Sequence, residues 1–77
     1  MAKIYIYTTF PKFVEDGENL GMIWFEDSSL TFGNALEKIK RIAKKWRASC
    51  IVNFKVATSV KSHGLINYVL SGDAIKL

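Results

Sequence analysis

Leu30-Thr31-Phe32-Gly33-Asn34-Ala35-Leu36-Glu37-Lys38-Ile39-Lys40-Arg41-Ile42-Ala43-Lys44-Lys45-Trp46-Arg47 is the stretch on which the fold turns. Within it Phe32, Ala35, Leu36, Ile39, Ile42, Ala43 and Trp46 recur at spacings of three and four, one apolar stripe over about four turns. The spacing predicts a single amphipathic helix, with Ser28, Ser29 or Thr31 available to accept a hydrogen bond at its start. The opposite face carries Lys38, Lys40, Arg41, Lys44, Lys45 and Arg47 against Glu37 alone. The cations crowd the C-terminal half, where they complement the helix dipole.

Upstream, residues 3–9 are almost all β-branched or aromatic and predict a first strand, ended by Pro11. A polar loop follows, from Glu15 to Asn19 with Gly17 as its turn glycine. Leu20-Gly21-Met22-Ile23-Trp24-Phe25 predicts a second strand that is apolar on both parities, as if covered on both faces. Downstream, residues 49–58 predict a third strand, with Cys50, Val52, Phe54 and Val56 on one face and Ser49, Asn53 and Lys55 on the other. Lys61-Ser62-His63-Gly64 makes a hairpin turn. A fourth strand runs from Leu65 to about Leu77, and Gly72-Asp73 inside it suggests a bulge or a bend. The chain shows no repeat and no linker. Residues 1–77 therefore read as a single α+β domain of ββαββ order, an antiparallel-rich four-stranded sheet with one helix packed on one face.

A 77-residue domain is marginal unless something staples it. One cysteine, Cys50, cannot form an internal disulfide, and no Cys/His cluster suggests structural zinc. Yet the chain is 49% hydrophobic and 13% aromatic. One helix covers one face of a sheet, while strands one, two and four carry apolar side chains on both parities. A lone copy would expose one of these sets as a patch, which monomers usually avoid. A homo-oligomer is expected, with Tyr5, Tyr7, Trp24, Phe25 and Tyr68 as interface candidates. The N-terminus does not read as a signal peptide, and no stretch approaches the ~18 apolar residues of a membrane span. The lone thiol fits a reducing cytoplasm.

Candidate chemistry is sparse. Cys50 on the face of a strand reads as core packing rather than as a nucleophile, since the single histidine lies in the far hairpin turn. His63 would bind a transition metal only if copies converge on a symmetry axis; otherwise it is a polar turn residue. Glu15, Asp16, Glu18, Glu26, Asp27, Glu37 and Asp73 match no calcium loop and read as solvated surface. No glycine-rich phosphate loop is present, so neither an enzyme nor a bound cofactor is expected. Residues 37–47 hold six cations and one Glu, net +5 of a total of +4, leaving −1 elsewhere. This is an electrostatic footprint for nucleic acid or an acidic protein, although the face lacks aromatic interleaving and Asn or Gln for base reading.

Thr8-Thr9-Phe10-Pro11, the acidic turn Glu15-Asp16-Gly17, Leu20-Gly21-Met22-Ile23, Ala48-Ser49-Cys50-Ile51-Val52-Asn53-Phe54, and the ending Ser71-Gly72-Asp73-Ala74-Ile75 stand in order along the chain. Together they resemble the YbjQ-like family, often labelled a heavy-metal-binding domain. The resemblance spans nearly the whole chain. It departs in a shortened segment at residues 26–30, in Asn53 where the family has glycine, and in Asp73 where it has threonine. It implies a ring-like homo-oligomer, by expectation a pentamer. It implies no reaction, and the metal label finds no ligand motif here to match residue by residue.

Overall fold

A computed structural model describes residues 3–29, 31–61 and 63–77. The readings of Met1, Ala2, Leu30 and Ser62 lie outside the described residues. Strands β1 (Tyr5–Ile6) and β2 (Glu18–Ser29) precede helix α1 (Phe32–Lys45), and β3 (Cys50–Val60) and β4 (Ile66–Lys76) follow it. The ββαββ order stands. The sheet runs β1-β3-β4-β2, with β4 antiparallel to both long neighbours and β1 parallel to β3.

The helix starts where its capping chemistry places it. The Thr31 hydroxyl accepts a hydrogen bond from the Asn34 amide at 3.3 Å, satisfying one of the first-turn donors. At the other end the Ala48 amide donates to the Ala43 carbonyl and the Arg47 amide to the Lys44 carbonyl. This Schellman closure puts Arg47 in the left-handed region at φ 62°, a position glycine usually holds. Ala35, Ile39 and Ala43 are buried against β2 and β4. The main core gathers them with Ile4, Ile23, Ile51, Phe54, Tyr68, Leu70 and Ala74.

Strand three departs from simple alternation. Val52 pairs with Asp73 and Lys55 with Ser71, so Asn53 and Phe54 together face the single residue Gly72. Asn53 absorbs the extra residue at φ 53°, a conformation asparagine tolerates better than most. The face expected for Cys50, Val52, Phe54 and Val56 is thereby split. Cys50 and Val52 point away from the helix into a second cluster with Val14 and Ile75, and Phe54 joins the helix-side core. The irregularity expected at Gly72-Asp73 lies instead on the opposing strand. Gly72 permits it: a Cβ there would lie 2.5 Å from Ile51 Cγ2 and 3.1 Å from the Val52 carbonyl oxygen. A further register shift lies in β2 between Asn19 and Gly21, where Gly21 takes φ 121° and its amide donates to Asn19 Oδ1 at 2.8 Å.

The loop after β1 is shorter and more structured than expected. Lys12–Val14 forms one 3-10 turn that buries Val14, and Glu18 and Asn19 already belong to β2. This turn covers part of the sheet face that the helix does not reach, a job the sequence reading assigned wholly to a second subunit. Coverage stops there. Met22 and Trp24, one of the sets that a lone copy was expected to expose, are 64% and 56% exposed on that same face.

Candidate functional site

At one end of the sheet the chain builds a cavity of about 550 Å³. It forms where three elements meet: the outer side of β1, the C-terminal end of α1 and the first residues of β3. Tyr5, Tyr7 and Phe13 supply aromatic surface, Ile4, Ala48 and Leu77 aliphatic surface, and Cys50 and Ser49 lie among them. Tyr7 and Phe13 meet edge to face with ring centroids 5.6 Å apart. The backbone fixes their placement, because the Tyr7 amide donates to the Ile51 carbonyl and the Phe54 amide donates to the Tyr7 carbonyl. Ser49 ties the far wall, its hydroxyl accepting from the Leu77 amide at 3.0 Å.

Lys3, Lys44 and Arg47 also line the cavity, and no acidic side chain does. Among the described residues none of these three cations takes part in an ion pair. Burial pushes the Cys50 thiol up from its ordinary range, so it is held as a neutral thiol. That fits core packing.

The six cations read as one face are divided by the fold. Lys38 pairs with Asp27 on β2, and the Ser29 hydroxyl donates to the same carboxylate at 3.0 Å. The Lys38 ammonium beside Asp27 holds its carboxyl below the usual carboxylate range. Lys40 stands 4.0 Å from Glu37. Arg41 and Lys45 are exposed, and Lys44 and Arg47 turn to the cavity. The aromatic candidates are divided as well. Tyr68 was expected at an interface but is buried in the helix-side core, its ring 5.8 Å from that of Phe32, and Phe25 packs against the same core. Tyr5 and Trp24 are exposed, and Tyr7 is half-buried against the second cluster. His63 sits exposed in the hairpin turn at φ 60°. Among the described residues no group of three or more His, Cys, Asp or Glu side chains comes together.

A second, smaller depression of about 280 Å³ lies over the β3 bulge, lined by Met22, Asn53, Lys55, Ser71, Gly72 and Asp73. The sequence reading missed the cavity at the other end. Its walls come from residues far apart in the chain, and the apolar Phe13-Val14 step before the acidic turn was the one available signal.

No family model matches the chain, and no curated protein matches it. Among the solved structures that do match is a protein of unknown function from Pediococcus pentosaceus ATCC 25745, described as belonging to the DUF74 family. The TM-score is 0.80 over 96% of this chain and 97% of that one, at 16% sequence identity. The likeness is one of fold. DUF74 is the YbjQ-like family, so a structure of like fold comes from the family whose phrases this chain resembles. Among the described residues no helix is long and apolar enough to cross a membrane.

Proposed function

We propose that this chain is a self-assembling, non-enzymatic module of the YbjQ-like kind, acting in the cytoplasm, whose copies join along the open edges of the sheet. The observation that carries this is β2. It is a twelve-residue strand at the sheet's end, with no described neighbour on its outer side and with Met22 and Trp24 exposed along it. Natural proteins cover or blunt a long edge of this kind. A second edge opens on the other side of the sheet. Backbone pairing with the β1 segment reaches Phe54, and from Lys55 to Val60 only β4 flanks β3 among the described residues. Val56 and Val60 are exposed there.

These two edges differ from one another and run in the same direction, since β2 and β3 are each antiparallel to β4. Pairing one with the other is head-to-tail, which closes into a ring or propagates as a filament. A ring satisfies every edge, and a pentamer is the size the family resemblance suggests. Light scattering at micromolar concentration tests this. The expected mass is a whole-number multiple of the 8.7 kDa chain, reduced by Trp24→Lys, and a single 8.7 kDa species would end the proposal.

A second reading uses the exposed Arg41 and Lys45 with Lys44 and Arg47 to hold nucleic acid or an acidic protein. Its support is their standing free of ion pairs among the described residues, unlike Lys38 and Lys40. A salt-dependent gel shift with mixed oligonucleotides decides it, and no binding at low salt removes it. A metal role for His63 would require copies that bring the hairpin tips together.

A further inference from the structure

We infer that the cavity at the β1–α1–β3 junction is a binding site for a small amphipathic anion, a molecule with an apolar or aromatic body and one carboxylate- or sulfonate-like head. The inference deepens the assembly reading without depending on it, since every residue named in the cavity belongs to one chain.

Size is the first ground. About 550 Å³ falls within the range of small-molecule sites and exceeds what a few waters need. Lining chemistry is the second. Tyr5, Tyr7 and Phe13 offer flat apolar surface that a ligand body can cover, and Tyr7 is held there by two backbone hydrogen bonds. Such a wall is preformed, so binding costs little ordering.

Charge is the third. Lys3, Lys44 and Arg47 bring three positive charges, and among the described residues no acidic side chain lines the cavity. The C-terminal end of α1 opposes an anion with the equivalent of about half a negative charge. Three cations outweigh it, and the Arg47 and Ala48 amides already occupy two of the last carbonyls. Apolar walls also lower the local dielectric, so the same charges act more strongly than they would on an open helix face.

Arg47 sharpens the case. It holds a helix-closing position with φ 62°, where glycine would be relaxed. An arginine there is costly to the helix and useful to the cavity. This gives a test in which stability and binding move in opposite directions. The probes are 1-anilinonaphthalene-8-sulfonate and its uncharged counterpart N-phenyl-1-naphthylamine, which share an aromatic body and differ in the anionic group. Fluorescence titration of the full chain is expected to favour the sulfonate by about tenfold, as one charge-assisted contact implies. Arg47→Gly should raise the melting midpoint by about 4–8 °C while weakening sulfonate binding. Lys44→Gln should weaken it with no such rise, and Trp24→Gln should leave it unchanged.

Equal affinity for the two probes would overturn the inference. So would sulfonate binding that survives Arg47→Gly and Lys44→Gln together, or that disappears with Trp24→Gln, which would place the probe on the exposed β2 surface instead. Light scattering on each sample keeps a failure of assembly distinct from a failure of binding.

Discussion

At the scale of single residues, Gly72 sits where there is no space for a side chain. It is not a positive-φ residue, so its role is space rather than backbone freedom. The Ile51 methyl that a Cβ would strike belongs to a fully buried side chain with no room to retreat. Gly72→Ala should cost about 1–3 kcal/mol, the usual penalty of overpacking. Thermal unfolding reads this as a drop of roughly 4–8 °C for each kcal/mol in a domain of this size. An unchanged midpoint would mean that the β3 bulge relaxes at no cost. The sequence marked residues 72 and 73 as irregular, whereas the extra residue sits on β3, directly opposite Gly72. A glycine in a strand signals close approach as readily as a bend, and only the partner strand decides between them. Asn53 was equally hard to read, since an asparagine amid β-branched residues looks like an outward polar position until its φ is known.

At the scale of elements, the helix was the most legible part. Its stripe and its capping threonine are local features, and local rules decide them. Thr31→Ala removes the hydroxyl that accepts from Asn34, and should destabilise the domain by about 1 kcal/mol in denaturant unfolding. Thr31→Ser should restore most of the loss. The contact between α1 and β2 adds a pH dependence. Asp27 is held below its usual range by Lys38, so the folded chain keeps the carboxylate charged to lower pH than the unfolded chain does. That contribution is complete above the ordinary carboxylate range near pH ~4 and fades as pH falls through the depressed folded value. Wild type should therefore lose more stability between pH 6 and pH 3 than Asp27→Asn does, measured by urea midpoints. Equal losses would show the pair to be energetically idle, as many exposed pairs are. This pairing was not legible, because Asp27 looked like a loop acid and Lys38 like one of six equivalent cations.

At the scale of the whole molecule, fold class and the ββαββ order of elements could be read from the sequence, while the order of strands in the sheet and the coverage of its faces could not. The count of apolar strand residues correctly implied that a helix alone leaves one face unprotected. Part of the answer lay within the chain, in the turn that buries Val14 over Cys50, Val52 and Ile75. What remains open is narrower than a face: two strand edges and the surface around Trp24. The cavity belongs to this scale too. Its cations come from residue 3 and from the end of the helix, and no window of sequence shows them to be neighbours. The predicted mass and the predicted probe selectivity are likewise properties of the assembled surface, and neither follows from any one element.

The bulge at Asn53 also sets what kinds of sequence change this chain can absorb. On either side of it, β3 runs in opposite phase: Cys50 and Val52 face away from the helix, and Phe54 faces toward it. A substitution disturbs one contact. Loss of a single residue between Val52 and Lys55 would remove the bulge and gain of one would enlarge it, and either changes the phase by one residue and so turns one half of the strand inside out. Related chains that keep this fold should therefore differ freely in the letters of this segment and hardly at all in its length. The length is the inheritance, and Asn53 is where it is stored.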